Sequence, residues 1–203
     1  MSSRRPRPAN PANFCGATTT DRRSARKSVR SFADIVRVYK EFFRRGLADE
    51  NTFLKDLDFD AALKAIAMCE LEDGKRMTHQ YRLKASVLRA AHAKLRKASL
   101  QGCSSFDELF RTVEEAIGDL PGIGPLTVYD ISFRLGIHLD LHPEKIYLHA
   151  GTRQGARVLG LGAGADSIDV KDVPAALRRL TAAEIEDCLC IFKDEIQQIV
   201  ASE

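Results

Sequence analysis

One stretch of this chain constrains its fold more than any other, the run Leu120-Pro121-Gly122-Ile123-Gly124-Pro125, which lies between two segments of helical apolar periodicity. Gly122 and Gly124 allow left-handed dihedrals and a close approach of the backbone, and Pro125 suits the first turn of a helix because the N–H it lacks would have no partner there. The run therefore predicts a tight turn joining two helices. Amides at the start of the second helix have no helical acceptor, and an anion such as a phosphate is their natural ligand.

Length and composition are typical of a globular domain outside the membrane. The chain has 203 residues, 44% of them apolar, enough for the core of one domain or of two small interlocked helical lobes. No run of about 18 apolar residues is present, and the N-terminus lacks the apolar core of a secretory signal. Five scattered cysteines match neither a zinc site nor a disulfide framework. We expect a reducing cytoplasm, with nucleoid association if the source is bacterial.

The charge of the chain is concentrated at its N-terminus. Residues 1–30 carry eight Lys and Arg against Asp21 alone, a net charge of +7, which leaves residues 31–203 at −4. This Pro-, Ser- and Arg-rich composition predicts a disordered basic tail over 1–30 and a folded domain over 31–203. The tail is interpreted as an arm on the DNA backbone, as a solubilising extension, or as an organelle-targeting leader.

After the tail, apolar periodicity of about 3.6 residues predicts helices throughout and no strand, so the predicted fold class is all-α. The helix that ends at Leu95 has a basic exposed side, and Ser105 and Thr181, each followed three residues later by Glu, predict capping boxes. The predicted helices are Phe32–Phe43, Phe59–Met68, Tyr81–Leu95, Phe106–Ile117, Pro125–Leu135 ending at Gly136, Thr152–Leu159 capped by Thr152, a short helix opened by Asp172 and Pro174, and a final helix from Ala182.

The turn and its flanking helices resemble those of the helix-hairpin-helix superfamily that contains the base-excision DNA glycosylases. The run Arg157-Val158-Leu159-Gly160-Leu161 is similar to the helix that follows the hairpin there. The resemblance implies a DNA-glycosylase-like helical fold and a role in DNA repair. It also implies largely sequence-independent binding of DNA phosphates, and it suggests a monovalent cation at the hairpin carbonyls with no other cofactor. The hairpin residues expected to contact DNA are Gly122, Ile123, Gly124, Leu126 and Thr127.

Two departures from the superfamily bear on catalysis. Leu126 stands where lyase-competent members carry a lysine nucleophile, so lyase chemistry is not expected. No aspartate lies between Leu141 and Ala165, where monofunctional members carry one that stabilises the developing positive sugar. One alignment puts Thr152 at that position and another puts Glu144 near it. Glu144 is therefore interpreted as a catalytic substitute or as a helix-start residue that interacts with the dipole.

A second group of polar residues follows the hairpin beside several glycines. In a binding segment, Tyr147 would stack on a base, Arg153 would hold a phosphate and His149 would transfer a proton, with Thr152 beside them. The alternative is a packed helix junction. His138, Asp140 and His142 alternate along a connector anchored by leucines, and no metal site is predicted there or at the cysteines.

These observations leave three hypotheses about function. The first is a DNA-binding protein of the repair type whose usual catalytic residues are absent or altered. The second is an active monofunctional DNA glycosylase that uses a non-standard carboxylate such as Glu144. The third is a structural or protein-interaction module in which the hairpin is only a helical turn.

Overall fold

A computed structural model describes residues 19–44, 52–70, 74, 76, 80 and 82–202, and this part of the chain is mostly helical, which confirms the all-α prediction at that level. None of its helices combines the length and the apolar character needed to cross a membrane. The elements are α1 (Thr19–Lys27), α2 (Phe32–Phe42), α3 (Phe59–Met68), α4 (Ala85–Leu95), α5 (Phe106–Ile117), α6 (Pro125–Leu139), β1 (Lys145–Tyr147), α7 (Ala150–Val158), β2 (Ser167–Asp169), α8 (Ala182–Ile191) and α9 (Lys193–Ser202), with single 3₁₀ turns at Leu100–Gly102, Val170–Asp172 and Leu177–Arg179.

Polar caps start several helices where the sequence predicts them. Thr181 accepts a hydrogen bond from the Glu184 amide, and the Glu184 carboxylate accepts one from the Thr181 amide, so this capping box is complete. Ser105 caps α5 in the same way, but the Glu108 carboxylate binds the amide and hydroxyl of Ser104 instead of the Ser105 amide. These bonds satisfy amides that a helix start otherwise leaves open.

The helices build two hydrophobic cores. One core is formed by α2, β1, α7, β2, α8 and α9, with Tyr39 and Phe192 as its largest fully buried side chains. The other is formed by α3 to α6, with Leu109 and Ile131 among its fully buried residues. Each apolar helix face is therefore buried against its own neighbours.

An aromatic cluster of Phe106 from α5, Tyr129 from α6 and Tyr147 from β1 is buried apart from both cores. We call this cluster the seam. Its rings meet at an angle or edge to face, with centroids 5.4 Å apart for Phe106 and Tyr147 and 5.7 Å apart for Tyr129 and Tyr147. Because β1 belongs to the first core while α5 and α6 belong to the second, the seam connects the two.

Two short strands correct the prediction that the chain has none. β1 and β2 pair antiparallel, with Ile146 opposite Ile168 and both side chains buried in the first core. Strands of three residues are too short to show an alternating pattern in the sequence, so periodicity could not reveal them.

Several predicted helix boundaries differ from the structure. The helix predicted over Tyr81–Leu95 begins at Ala85, because residues 82–84 are not helical. α6 continues past Gly136 to Leu139, because the buried Ile137 extends its apolar side. The predicted final helix is divided into α8 and α9 at Phe192, whose ring packs edge to face on Phe43 with centroids 5.5 Å apart. Thr152 does not cap α7, since the N-cap is His149 and Thr152 lies inside the helix.

The predicted disordered tail differs from the structure at its C-terminal end. Thr19–Lys27 forms α1, and the Arg26 guanidinium donates to both carboxylate oxygens of Glu195 on α9, at 2.8 and 2.9 Å. Arg26 therefore holds α1 on the first core by a two-point ion pair, which a count of charges cannot reveal. Residues 1–18 lie outside the described part of the chain, so the prediction for them stays a prediction.

Candidate nucleic-acid interface

The run of prolines and glycines forms a tight turn between α5 and α6, as predicted. We call Leu120–Gly124 the Pro-Gly turn. The Leu120 amide donates to the Ile117 carbonyl and the Ile123 amide to the Leu120 carbonyl, both at 3.0 Å. Gly122 has a φ of +90°, a conformation that requires glycine, while the buried Ile123 side chain anchors the turn in the second core.

The start of α6 leaves main-chain amides open. Gly124 is extended, with a φ of −115°, and has no side chain to cap the helix, and Pro125 occupies the first helical position. The Val128 amide donates to the Gly124 carbonyl at 3.1 Å. Within the described part of the chain, the amides of Gly124, Leu126 and Thr127 donate to no acceptor in the protein. Because Pro121, Gly122 and Pro125 are exposed, this edge of the turn faces solvent.

The structure places Tyr147 inside the protein. Its side chain is buried in the seam, its ring lies 4.5 Å from that of Phe110, and its hydroxyl donates to an Asp107 carboxylate oxygen at 2.5 Å. Lys145 also donates to Asp107, and these two hydrogen bonds lower the pKa of the Asp107 carboxyl. Lys145 and Tyr147, the two ends of β1, thus hold the strand against α5.

His149 and Thr152 meet a carboxylate that the sequence analysis did not single out. His149 Nε2 lies 2.6 Å from Glu186 Oε1, the Thr152 hydroxyl donates to the same oxygen, and all three side chains are buried. Burial lowers the pKa of His149, but the hydrogen bond and the charge of Glu186 outweigh it, so this pKa lies above its usual value. The other ring nitrogen, Nδ1, is buried without a partner among the described residues.

Asp187 and Asp130 complete an acidic surrounding for this histidine. Asp187 accepts a hydrogen bond from the Tyr39 hydroxyl at 2.7 Å, and burial together with the charge of Glu186 raises the pKa of Asp187 to about 7. Asp130 accepts a hydrogen bond from the buried Gln80. Because the pKa of His149 is raised, its imidazole and the Glu186 carboxylate form a buried ion pair. The sequence signal for this group is the pair Glu186-Asp187 within an otherwise apolar helix segment.

The remaining predicted residues lie apart from this buried group. The Arg153 guanidinium donates to the carbonyls of Ala165 and Leu148, at 2.5 and 2.8 Å, and so anchors the loop before β2. Glu144 is exposed in the connector before β1. The structure therefore brings Tyr147, His149 and Thr152 into the interior, and the DNA contacts assigned to these three and to Arg153, like the catalytic role of Glu144, stay predictions.

Within the described residues, no group of three or more His, Cys, Asp or Glu side chains is arranged to hold a metal ion. His138 Nδ1 lies 2.9 Å from the Leu54 carbonyl, and His142 Nε2 lies 3.3 Å from Asp140, so each histidine of the connector has its own partner. Among the described cysteines, Cys69, Cys103, Cys188 and Cys190 are free thiols. The monovalent cation at the hairpin stays an expectation from the resemblance.

The comparisons with known proteins add no assignment to this geometry. No protein-family model matches the chain, and no curated protein and no solved structure is significantly similar to it.

Proposed function

We propose that this protein binds DNA through the Pro-Gly turn and the start of α6, as a helix-hairpin-helix protein of the repair type. The observation that carries the proposal is the set of open amides at Gly124, Leu126 and Thr127 beside an exposed edge of the turn. Such amides, at the positive end of the helix dipole, complement the oxygens of a phosphate. The resemblance of the sequence to glycosylase hairpins supports the same ligand.

The chemistry of the turn supports a contact to the backbone and not to bases. Amides at a helix start bind phosphate oxygens, which are the same at every nucleotide, so binding should depend little on sequence. A single turn reaches few phosphates, and non-specific complexes have dissociation constants of roughly 10⁻⁴ to 10⁻⁶ M at physiological salt. The proposed function is therefore weak, salt-sensitive DNA binding.

Gly124 offers a test that separates binding from folding. A Cβ added at Gly124 meets no atom within 4 Å, and its φ of −115° suits any residue. In Gly124→Asp the new carboxylate caps the amides of α6, which should preserve stability, and it repels phosphate. We expect the dissociation constant for a labelled 20-base-pair duplex at 0.1 M salt to rise roughly tenfold, as the loss of about one phosphate contact predicts.

Two further variants control this experiment. Gly102→Asp introduces the same charge at another exposed glycine with open space around it and should leave the affinity unchanged. Gly124→Asn occupies the same amides without a charge, so it should weaken binding less than Gly124→Asp does. If Gly124→Asp and Gly102→Asp bind the duplex equally well, the Pro-Gly turn is not the DNA contact.

A further inference from the structure

A stretch around α4 has an unusual charge composition. Residues 82–103 contain six Lys and Arg and no Asp or Glu, although residues 31–203 as a whole have a net charge of −4. Ordinary protein surfaces intersperse both signs, because a block of one sign repels itself. The absence of any acidic residue over this length therefore needs a reason outside the folding of α4.

The basic residues of α4 form an outward stripe. Leu88, Ala91 and Leu95 are buried, whereas Ser86, Arg89, Ala93 and Arg96 are exposed, at the spacing of one helix face. No acceptor in the described part of the chain bonds to the side chains of Lys84, Arg89, Arg96 or Lys97. Burial lowers the pKa of His92, and the charges of Arg96 and Lys64 lower it further, as expected beside a cationic surface.

The start of α4 runs against the usual preference for helix ends. Lys84 is its N-cap, with no side-chain hydrogen bond to the open amides, and the first turn contains no acidic residue. A cation at this position is unfavourable, since the helix dipole is positive there. Residues that break a local rule without a local benefit are expected at functional sites, and an external anion would relieve this one.

This helix lies against the Pro-Gly turn. Leu83 Cδ2 is 3.5 Å from the position that a Cβ would occupy on Gly122. Near the other end of α4, Lys94 Nζ contacts both carboxylate oxygens of Asp119, at 2.5 and 2.7 Å. These two contacts place α4 beside the turn and the end of α5. At 3.6 residues per turn, Arg89 and Arg96 lie about 140° and 160° around the helix from Lys94, so the exposed stripe faces away from this contact.

We infer that the exposed stripe of α4, with Arg89 and Arg96 at its centre, is a second DNA-backbone contact, separate from the Pro-Gly turn. This inference rests on the proposed function, and it names a second surface that strengthens the binding of DNA. Arg89 and Arg96 stand two helical turns apart, about 10 Å along the axis. That span equals the rise of about three base pairs of duplex at 3.4 Å each, so the stripe can follow neighbouring phosphates.

The test removes two charges from the stripe and compares the effect on DNA binding with that of two matched substitutions elsewhere in the chain. Arg89→Gln with Arg96→Gln removes two charges from α4, while Arg157→Gln with Arg179→Gln removes two exposed charges from residues outside the second core. Binding of the full chain to a labelled 20-base-pair duplex is measured from 0.05 to 0.3 M salt. For the α4 pair we expect a dissociation constant at least tenfold higher at 0.1 M salt, and a slope of log affinity against log salt that is shallower by about 1.8, which is about 0.9 for each lost phosphate contact.

Each outcome decides between the two contacts. Equal binding by the α4 pair and the control pair, together with weaker binding by Gly124→Asp, overturns the role of α4 and leaves the proposed function standing. Weaker binding by the α4 pair with no effect of Gly124→Asp overturns the proposed contact at the turn and leaves α4 as the DNA contact. No binding by the unaltered chain at 0.05 M salt overturns both. Circular dichroism of each variant checks that the fold is intact.

Discussion

At the scale of single residues, the buried polar group around Glu186 determines how stability depends on pH. His149 has a raised pKa, so its contribution to stability is present below the unfolded value of about 6.5 and is lost as the pH rises through the folded value. The pKa of Asp187 is raised to about 7, so the buried charge of this carboxylate lowers the free energy of unfolding. The loss begins near pH 4, the unfolded pKa, and is complete above about pH 7. Both effects lower stability as the pH rises through neutrality.

Asp187→Asn tests the acidic part of this linkage. The amide oxygen can still accept the Tyr39 hydrogen bond, but the buried charge is gone. We expect the free energy of unfolding to rise by about 1–2 kcal/mol at pH 8 and by much less at pH 3, where the carboxyl is mostly protonated in both states. Denaturant titrations at the two pH values measure the difference. Asp172→Asn, at an exposed carboxylate, should change neither value, and an equal gain at both pH values would contradict the assignment.

These residues also show how far a group of neighbouring residues in the sequence predicts a site. His149 and Thr152 stand close together in the sequence beside glycines, and the structure does bring them together. Glu186 could not be found in this way, because it is 34 positions from Thr152 and approaches it only where α7 packs on α8.

At the scale of elements, the contact between α7 and α8 depends on Gly155. A Cβ on Gly155 would overlap the Leu189 carbonyl oxygen and lie 2.9 Å from the carbonyl carbon, so both obstacles are backbone atoms that cannot rotate away. The backbone of α7 therefore packs directly on that of α8. The same approach brings Glu186 to His149.

Gly155→Ala should therefore force the two helices apart. We expect a loss of roughly 1–3 kcal/mol in the free energy of unfolding, the range for overpacked cores, although alanine favours the helix itself. Thermal and denaturant unfolding of Gly155→Ala measure the loss, with Gly102→Ala as the control because it has open space. A gain in stability would show that α7 and α8 are not in tight contact.

Two helix starts that carry a side-chain cap were predicted correctly. Ser105 and Thr181 mark the first turns of α5 and α8, because a cap acts through its own side chain on amides two or three residues away. The end of α6 and the division at Phe192 were predicted wrongly, because they depend on what packs against the helix.

At the scale of the whole molecule, the seam couples two cores into one folding unit. Tyr147 contacts Phe106, Phe110 and Tyr129 and donates to Asp107. Because its neighbour Ile146 lies in the first core, β1 joins that core to both α5 and α6. Tyr147→Ala should lower the free energy of unfolding by about 3–5 kcal/mol, as expected for a buried aromatic residue.

Loss of the seam should also separate the unfolding of the two cores. We expect amide exchange of the unaltered chain to show similar opening free energies in α6 and α8, and that of Tyr147→Ala to show different ones. In Tyr147→Phe the ring remains and only the hydrogen bond is lost. α6 and α8 should then still show similar opening free energies, and the free energy of unfolding should fall by about 1 kcal/mol. Equal protection of both helices in Tyr147→Ala would mean that other contacts couple the cores.

The sequence by itself determined the helical class, most helix starts and the Pro-Gly turn, since these follow from periodicity, caps and backbone freedom within a few residues. Tertiary structure alone decided that Tyr147 and His149 are interior residues, that α1 docks on α9, and that α4 lies beside the turn. Those facts depend on contacts between residues far apart in the chain, and no local pattern encodes which distant side chain will lie opposite.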